Sequence, residues 1–218
     1  MVTGKISILL VDDHAIVREG YRALLKKQPD LEVIAEAIDG NQAYQQYKLH
    51  TPDVTIMDLS LPGQSGVETI ARIKQRNPRA KILVFTMHQN PRFAAQAINA
   101  GALGYVTKSS PPEVLLNAIH DVYSGRRTLS PDIAQALALE KTGHETAALE
   151  SLTSREFEIL RLLAEGKSKE EIAQTLSISA KTVSNCYYLV KSKIGVNSDI
   201  GLVHWAIKMR LIDIYRLK

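Results

Sequence analysis

The chain has 218 residues, of which 45% are apolar and 23% charged, the make-up of an ordinary globular protein and long enough for one large domain or two small ones. A single cysteine, Cys186, excludes an internal disulfide and a cysteine-based zinc site. The first residues lack the basic start, apolar run and small-residue cleavage site of a secretory signal, and no stretch approaches the ~20 apolar residues of a membrane span. A cytoplasmic protein without a membrane partner is therefore expected. The net charge of +4 is unevenly placed: Ser151–Lys218 holds 11 Lys and Arg against 7 Asp and Glu, whereas Met1–Ser124 holds 13 against 12. The basic last third permits nucleic-acid binding without establishing it.

In chain order, ISILLV at 6–11 predicts a strand that ends in Asp12 and Asp13. Val17, Tyr21, Leu24 and Leu25 give 15–28 a helical spacing, 31–37 reads as a strand, and 41–50 as a helix stopped by Pro52. VTIMD at 54–58 is a strand followed by a loop with Pro62, Gly63 and Gly66, and 67–75 is a helix stopped at Asn77–Pro78. KILVFT at 81–86 is the fourth strand, 92–100 a helix with Gly101 as its C-terminal stop, 104–107 a short fifth strand, and Pro111–Pro112 opens a helix to Val122. Five βα units with continuous apolar strands predict a doubly wound α/β domain over 1–124, with a five-stranded parallel sheet covered on both faces.

Residues 125–150 read as a linker, with turn residues and one short Ala/Leu-rich helix at 133–141 before Gly143. Helices alone follow over 151–218, a small all-α domain. Thr153-x-x-Glu156 and Ser168-x-x-Glu171 are capping boxes that open helices over 154–165 and 169–176. Ser179 can cap a third helix, 180–194, ended by Gly195, and Ser198 a fourth, to about Met209. The brief turn 177–179 between two helices suits a helix-turn-helix.

Ligands of such sheets bind outside the carboxyl ends of the strands. Asp12 and Asp13, Asp58, Thr86 and Lys108 all fall at those ends. An aspartate at one strand end is usually a turn or cap residue, but the set of four ends in order is rarely accidental. Crowded carboxylates repel unless a cation neutralises them, and hard oxygen donors on a small open site suit Mg2+. Asp58, central in the set, is the best nucleophile; Thr86 and Lys108 can meet phosphoryl oxygens.

LLVDDH (9–14), IMDLSLPGQSG (56–66), VFT (84–86) and GYVTK (104–108) resemble the receiver domain of two-component response regulators, with a flavodoxin-like fold, over residues 5–124. The resemblance implies that Asp58 is the phosphoacceptor for a histidine kinase. It implies that Asp13, Asp58 and the backbone carbonyl of Ser60 hold Mg2+, with Asp12 acting through water. Thr86 and Tyr105 would form a switch pair in which Tyr105 turns inward once Thr86 moves towards the phosphate. The chain departs from many receivers at Ser109, where they carry proline after a cis peptide. His14 is expected to be a polar rim residue.

LTSREFEILRLLAEGKSKEEIAQTLSISAKTVSNCYYLVKSKIGV (152–196) is similar to the LuxR-type helix-turn-helix of the NarL/FixJ response regulators. This implies a transcription factor on double-stranded DNA, homodimeric when phosphorylated, with the helix from Ala180 in the major groove. The expected DNA-binding residues are Ser179, Lys181, Thr182, Ser184, Asn185, Tyr188 and Lys191. Ser184 replaces a usual basic residue, Asn185 suits an adenine, and Cys186 reads as a small buried residue. No turnover enzyme is expected. Two alternatives stay open: a phosphatase using Asp58 as nucleophile, and a phosphate-independent regulator or interaction module with weakened DNA binding.

Overall fold

The computed structural model describes residues 4–140, 151–209 and 211. They form β1 (Ile6–Val11), α1 (Ala15–Lys26), β2 (Leu31–Ala37), α2 (Gly40–His50), β3 (Val54–Met57), α3 (Gly66–Arg76), β4 (Ile82–Thr86), α4 (Pro91–Asn99), β5 (Gly104–Thr107), α5 (Pro112–Tyr123), β6 (Thr128–Leu129) and α6 (Pro131–Glu140). Four helices follow: α7 (Ser154–Ala164), α8 (Lys169–Thr175), α9 (Ala180–Ile194) and α10 (Asp199–Lys208). The chain separates into two compact units, Met1–Lys141 and Thr142–Lys218.

In the first unit all strand pairings are parallel, in the order β2-β1-β3-β4-β5-β6. Every residue of β3, β4 and β5 is buried, as a parallel sheet with helices on both faces requires. Ile8, Leu10, Ile56, Leu83 and Val106 meet Leu115, Ile119 and Val122 of α5 in one core. Tyr21 of α1 packs edge-on against Phe85, with ring centroids 4.6 Å apart. The loop after β3 is held tightly by α3. A Cβ at Gly66 would lie 2.1 Å from the Asp58 carbonyl oxygen, so only glycine allows this approach, in which Gly66 N–H donates to the Leu59 carbonyl at 3.0 Å. Ser65 and Glu68 close a capping box at the same end of α3.

The sheet has six strands where five were expected. Thr128 and Leu129 pair with Gly104 and Tyr105, and Ser130 N–H donates to the Tyr105 carbonyl at 2.9 Å. The helix expected at 133–141 begins at Pro131 instead and packs on α4 and β5, with Ile133 fully buried. Residues 125–140, read as linker, thus complete the first unit. Two paired residues are too few to carry a periodicity, which is why the sequence reading passed over them. The rest of the expected linker, 141–150 with Gly143, lies outside the described residues.

In the second unit both expected capping boxes are closed, Thr153 with Glu156 and Ser168 with Glu171. Ile159, Leu162, Ile172, Leu176 and Val183 form its core, joined at the edge by Ile178 and Cys186. The turn between α8 and α9 places Ser177 at φ +50°, and Gly195 ends α9 at φ +73°. Leu202 and Ala206 anchor α10. Among the described residues no helix is long and apolar enough to cross a membrane.

Ile133→Ala tests whether 125–140 belongs to the first unit. Removing a fully buried isoleucine side chain should cost about 2–4 kcal/mol in urea unfolding of the full chain, whereas a linker position would stay within about 0.5 kcal/mol.

Candidate functional site

The parallel order brings the ends of β1, β3, β4 and β5 to one edge, and the expected residues meet there. Lys108 Nζ lies 2.6 Å from Asp12 Oδ2 and 2.6 Å from Asp58 Oδ2, with all three side chains almost fully buried. Asp58 Oδ1 accepts from Leu59 N–H at 2.6 Å and from Ser60 N–H at 3.3 Å, and Asp12 Oδ1 accepts from His14 N–H at 2.9 Å. Asp13 is exposed at the rim, where His14 Nδ1 lies 2.8 Å from its carboxylate. His14 is itself exposed, a rim residue. One ligand atom each from Asp12, Asp13, His14 and Asp58 can be chosen so that all lie within 4.8 Å of one another.

Burial pushes the Asp58 carboxyl above its ordinary pKa; Lys108 and the Thr86 hydroxyl pull it back without cancelling the rise, and Asp12 adds to it. Burial acts on Lys108 in the opposite direction, but Asp58 and Asp12 outweigh it and hold the ammonium above its usual value. One ammonium thus serves two buried carboxylates, with a third, Asp13, at the rim beside His14. The pocket keeps a negative excess, and its oxygen-rich donor set fits a hard divalent cation such as Mg2+.

Thr86 is fully buried at the end of β4. Tyr105 is already inside, with no exposure, and its hydroxyl donates to the His88 carbonyl at 3.0 Å. Burial, with Asp58 and Asp132, drives its pKa up, so it remains a neutral donor. The His88 imidazole meets Ser60 Oγ at 2.8 Å and stacks on Phe93 at 4.1 Å between centroids, joining the loops after β3 and β4. Sequence reasoning missed this contact because nothing local relates positions 60 and 88. The backbone at Ser109 is trans, as is every peptide among the described residues.

In the second unit the DNA-binding candidates share α9 or its N-terminus. Ser179 Oγ accepts from Thr182 N–H at 3.0 Å and meets Thr182 Oγ1 at 2.8 Å, so both hydroxyls serve the cap. Lys181 and Asn185 are exposed, Ser184 is half-buried, and Tyr188 is 67% exposed. Lys191 differs from expectation: its ammonium is engaged by Tyr187 Oη at 2.9 Å and Asp199 Oδ1 at 3.1 Å, and Tyr187 also donates to Asp199. Lys169, at the start of α8, stands 4.4 Å from the Tyr187 ring centre and 5.7 Å from that of Tyr188; no local pattern pointed to it. Cys186 is half-buried, and burial raises its thiol pKa, away from a reactive thiolate.

Comparison with known proteins agrees with both halves. Residues 8–120 match the response regulator receiver domain, and residues 150–206 match the luxR family of bacterial regulatory proteins. The chain belongs to the two-component response regulators that join a receiver to a LuxR-type DNA-binding domain. It is 37% identical over 214 residues to the oxygen regulatory protein NreC of Staphylococcus haemolyticus, across 94% of this chain and 99% of that protein. A LuxR-family response regulator from an Aurantimonas species is 51% identical with a TM-score of 0.63, over 64% of this chain and all of that one. RcsB from Salmonella enterica serovar Typhimurium, solved on the promoter rprA with the phosphomimetic BeF3−, is 29% identical with a TM-score of 0.65, over 93% of this chain and 98% of that one.

Lys108→Met leaves Asp12 and Asp58 buried without their cation. It should cost the first unit about 3–5 kcal/mol in urea unfolding without divalent ions. Millimolar Mg2+ should recover part of that loss, a recovery that a packing defect alone would not show.

Proposed function

We propose that this chain is a transcription factor switched by phosphorylation of Asp58 from a histidine kinase. The Lys108 ammonium held between Asp12 and Asp58 carries the reading, because it fixes a buried carboxylate and a cation where a phosphoryl group would arrive. An Asp58 carboxylate oxygen attacks the phosphorus of a phosphohistidine. The P–O bond forms, the P–N bond breaks, and the imidazole leaves with a proton. Mg2+ held by Asp13, Asp58 and the Ser60 carbonyl, with Asp12 through water, would supply charge neutralisation for the phosphoryl oxygens. Lys108 exchanges its contact with Asp58 for a phosphoryl oxygen, and the Thr86 hydroxyl donates to another. Because Tyr105 is already inward, the switch is read as Thr86 and Lys108 moving against a fixed Tyr105–His88 contact.

The chain accepts a phosphoryl group and is not a turnover enzyme on an external substrate. The reading places it in the cytoplasm, with double-stranded DNA and a second copy of itself as partners. A dimer sets two α9 helices about one DNA turn apart. Lys181 and the N-terminal end of α9 meet phosphates, and Asn185 and Tyr188, with Ser184 beside them, face the bases. Lys191 reaches a phosphate only by leaving Asp199. That observation favours one variant of the reading, in which DNA binding is weaker than a free ammonium at Lys191 would give.

Incubation with Mg2+ and acetyl phosphate should label the wild type with up to one phosphate per chain and shift its mass towards a dimer. Asp58→Asn should show neither change; labelling that survives the substitution would refute Asp58 as acceptor. On operator DNA, Lys181→Ala should flatten the slope of log K against log salt by about 0.9, the value of one lost phosphate contact. Asn185→Ala should lose about 1–3 kcal/mol of discrimination at a single adenine and leave other positions unchanged.

A further inference from the structure

The receiver match ends at residue 120, yet the segment beyond it reaches back to the phosphoacceptor edge of the sheet. Ser130 N–H is bonded to the Tyr105 carbonyl at 2.9 Å. Two residues on, at the start of α6, the Asp132 carboxylate lies 2.8 Å from the Thr107 hydroxyl, a side chain with no solvent exposure. A carboxylate has no proton to give, so Thr107 donates to it. Thr107 Oγ1 then accepts from Ser110 Oγ at 3.0 Å and Ser109 Oγ at 3.1 Å, and Gln89 of the loop after β4 donates to Ser109 Oγ at 3.1 Å. Burial works against the ionised form of Asp132, but the Thr107 hydroxyl and the backbone N–H groups at the start of α6 help to outweigh it and hold the carboxyl below its ordinary pKa.

These hydroxyls bracket Lys108. With serine rather than proline after it, the loop owes its geometry to this network, and Asp132 is the network's charged member. The same helix packs on α4 and β5, and α4 follows directly on the loop whose His88 carbonyl accepts from Tyr105. A single short helix therefore touches both β5, which leads into Lys108, and α4, which follows the loop carrying His88.

We propose that Asp132 is a positioning residue that ties α6 to the Lys108 loop, so that phosphorylation of Asp58 loosens α6 and, reciprocally, loosening α6 favours the phosphorylated state. The inference rests on Asp58 as phosphoacceptor. A phosphoryl oxygen draws the ammonium away from Asp58 Oδ2, and the backbone of 107–110 carries that displacement to Thr107. Its hydroxyl cannot follow without stretching the bond to Asp132. Linkage makes the effect mutual: the factor by which the phosphoryl group weakens the anchor is the factor by which losing the anchor strengthens phosphoryl binding.

The test uses the full chain as wild type, Asp132→Ala and Asp132→Asn, titrated with beryllium fluoride in Mg2+, with amide hydrogen exchange followed over residues 131–140. In the wild type, saturating beryllium fluoride should speed exchange in α6 several-fold. Asp132→Ala should show fast α6 exchange from the start and bind beryllium fluoride about five-fold more tightly. Asp132→Asn keeps an oxygen for the Thr107 proton and should stay close to wild type. A merely structural role would lower thermal stability without tightening binding. Unchanged α6 exchange in the wild type, or equal or weaker binding by Asp132→Ala, overturns the coupling and leaves the phosphoacceptor reading standing. Failure of the wild type to bind beryllium fluoride at all overturns that reading, and the coupling with it.

Discussion

One ammonium shared by two buried carboxylates organises the first unit. Lys108 leaves β5 and reaches Asp58 at the end of β3, two strand spacings away or about 10 Å across the sheet, passing the end of β4. It then touches Asp12 at the end of β1 as well. Only a long cationic side chain makes that crossing. Because the strands are parallel, all four ends open on the same edge, so repulsion among Asp12, Asp13 and Asp58 and its relief by Lys108 follow from topology. The pocket stays electrostatically unfinished, with burial still holding Asp58 above its ordinary pKa. A site in that condition has a use for a divalent cation.

The same strand end looks outward too. Thr107 stands next to Lys108 and carries the hydroxyl that α6 grips, while Tyr105, two residues earlier, lends its carbonyl to Ser130. β5 thus presents one face of its chemistry to the acidic pocket and another to the segment that continues the chain. In the proposed coupling, the route from the acidic pocket to α6 consists of a few hydroxyls and a carboxylate.

The second unit follows a different economy. Its helices are started by Thr153, Ser168, Ser179 and Ser198, whose side chains satisfy the orphan N–H groups of short elements. The hydroxyls of Ser179 and Thr182 therefore hold the start of α9, leaving the outward positions Lys181, Asn185 and Tyr188 to meet a partner. Lys191 is drawn sideways to Asp199 of α10, so a residue that looks basic in sequence is already neutralised by a neighbour eight positions away.

Much of this was legible in the sequence. Alternating apolar runs and caps are local signals, and they placed β1 to β5, α1 to α5 and the four later helices to within a few residues. The placement of Asp12, Asp58, Thr86 and Lys108 at one edge was readable because a parallel sheet fixes where strand ends go. The strand β6 and the anchoring of α6 were not readable, since a two-residue strand has no period and Ile133 looks like any linker isoleucine. The contacts Ser60–His88, Thr107–Asp132, Lys169–Tyr187 and Lys191–Asp199 were also invisible. By itself the sequence determined the fold class, the order of elements and which residue types stand at the strand ends, because hydrogen-bonded periodicity and capping act over a few residues. Only the tertiary structure decided which of those residues meet. Lys108 finds its partners 50 and 96 positions away, a pairing that depends on the order of strands in the sheet and on no local pattern.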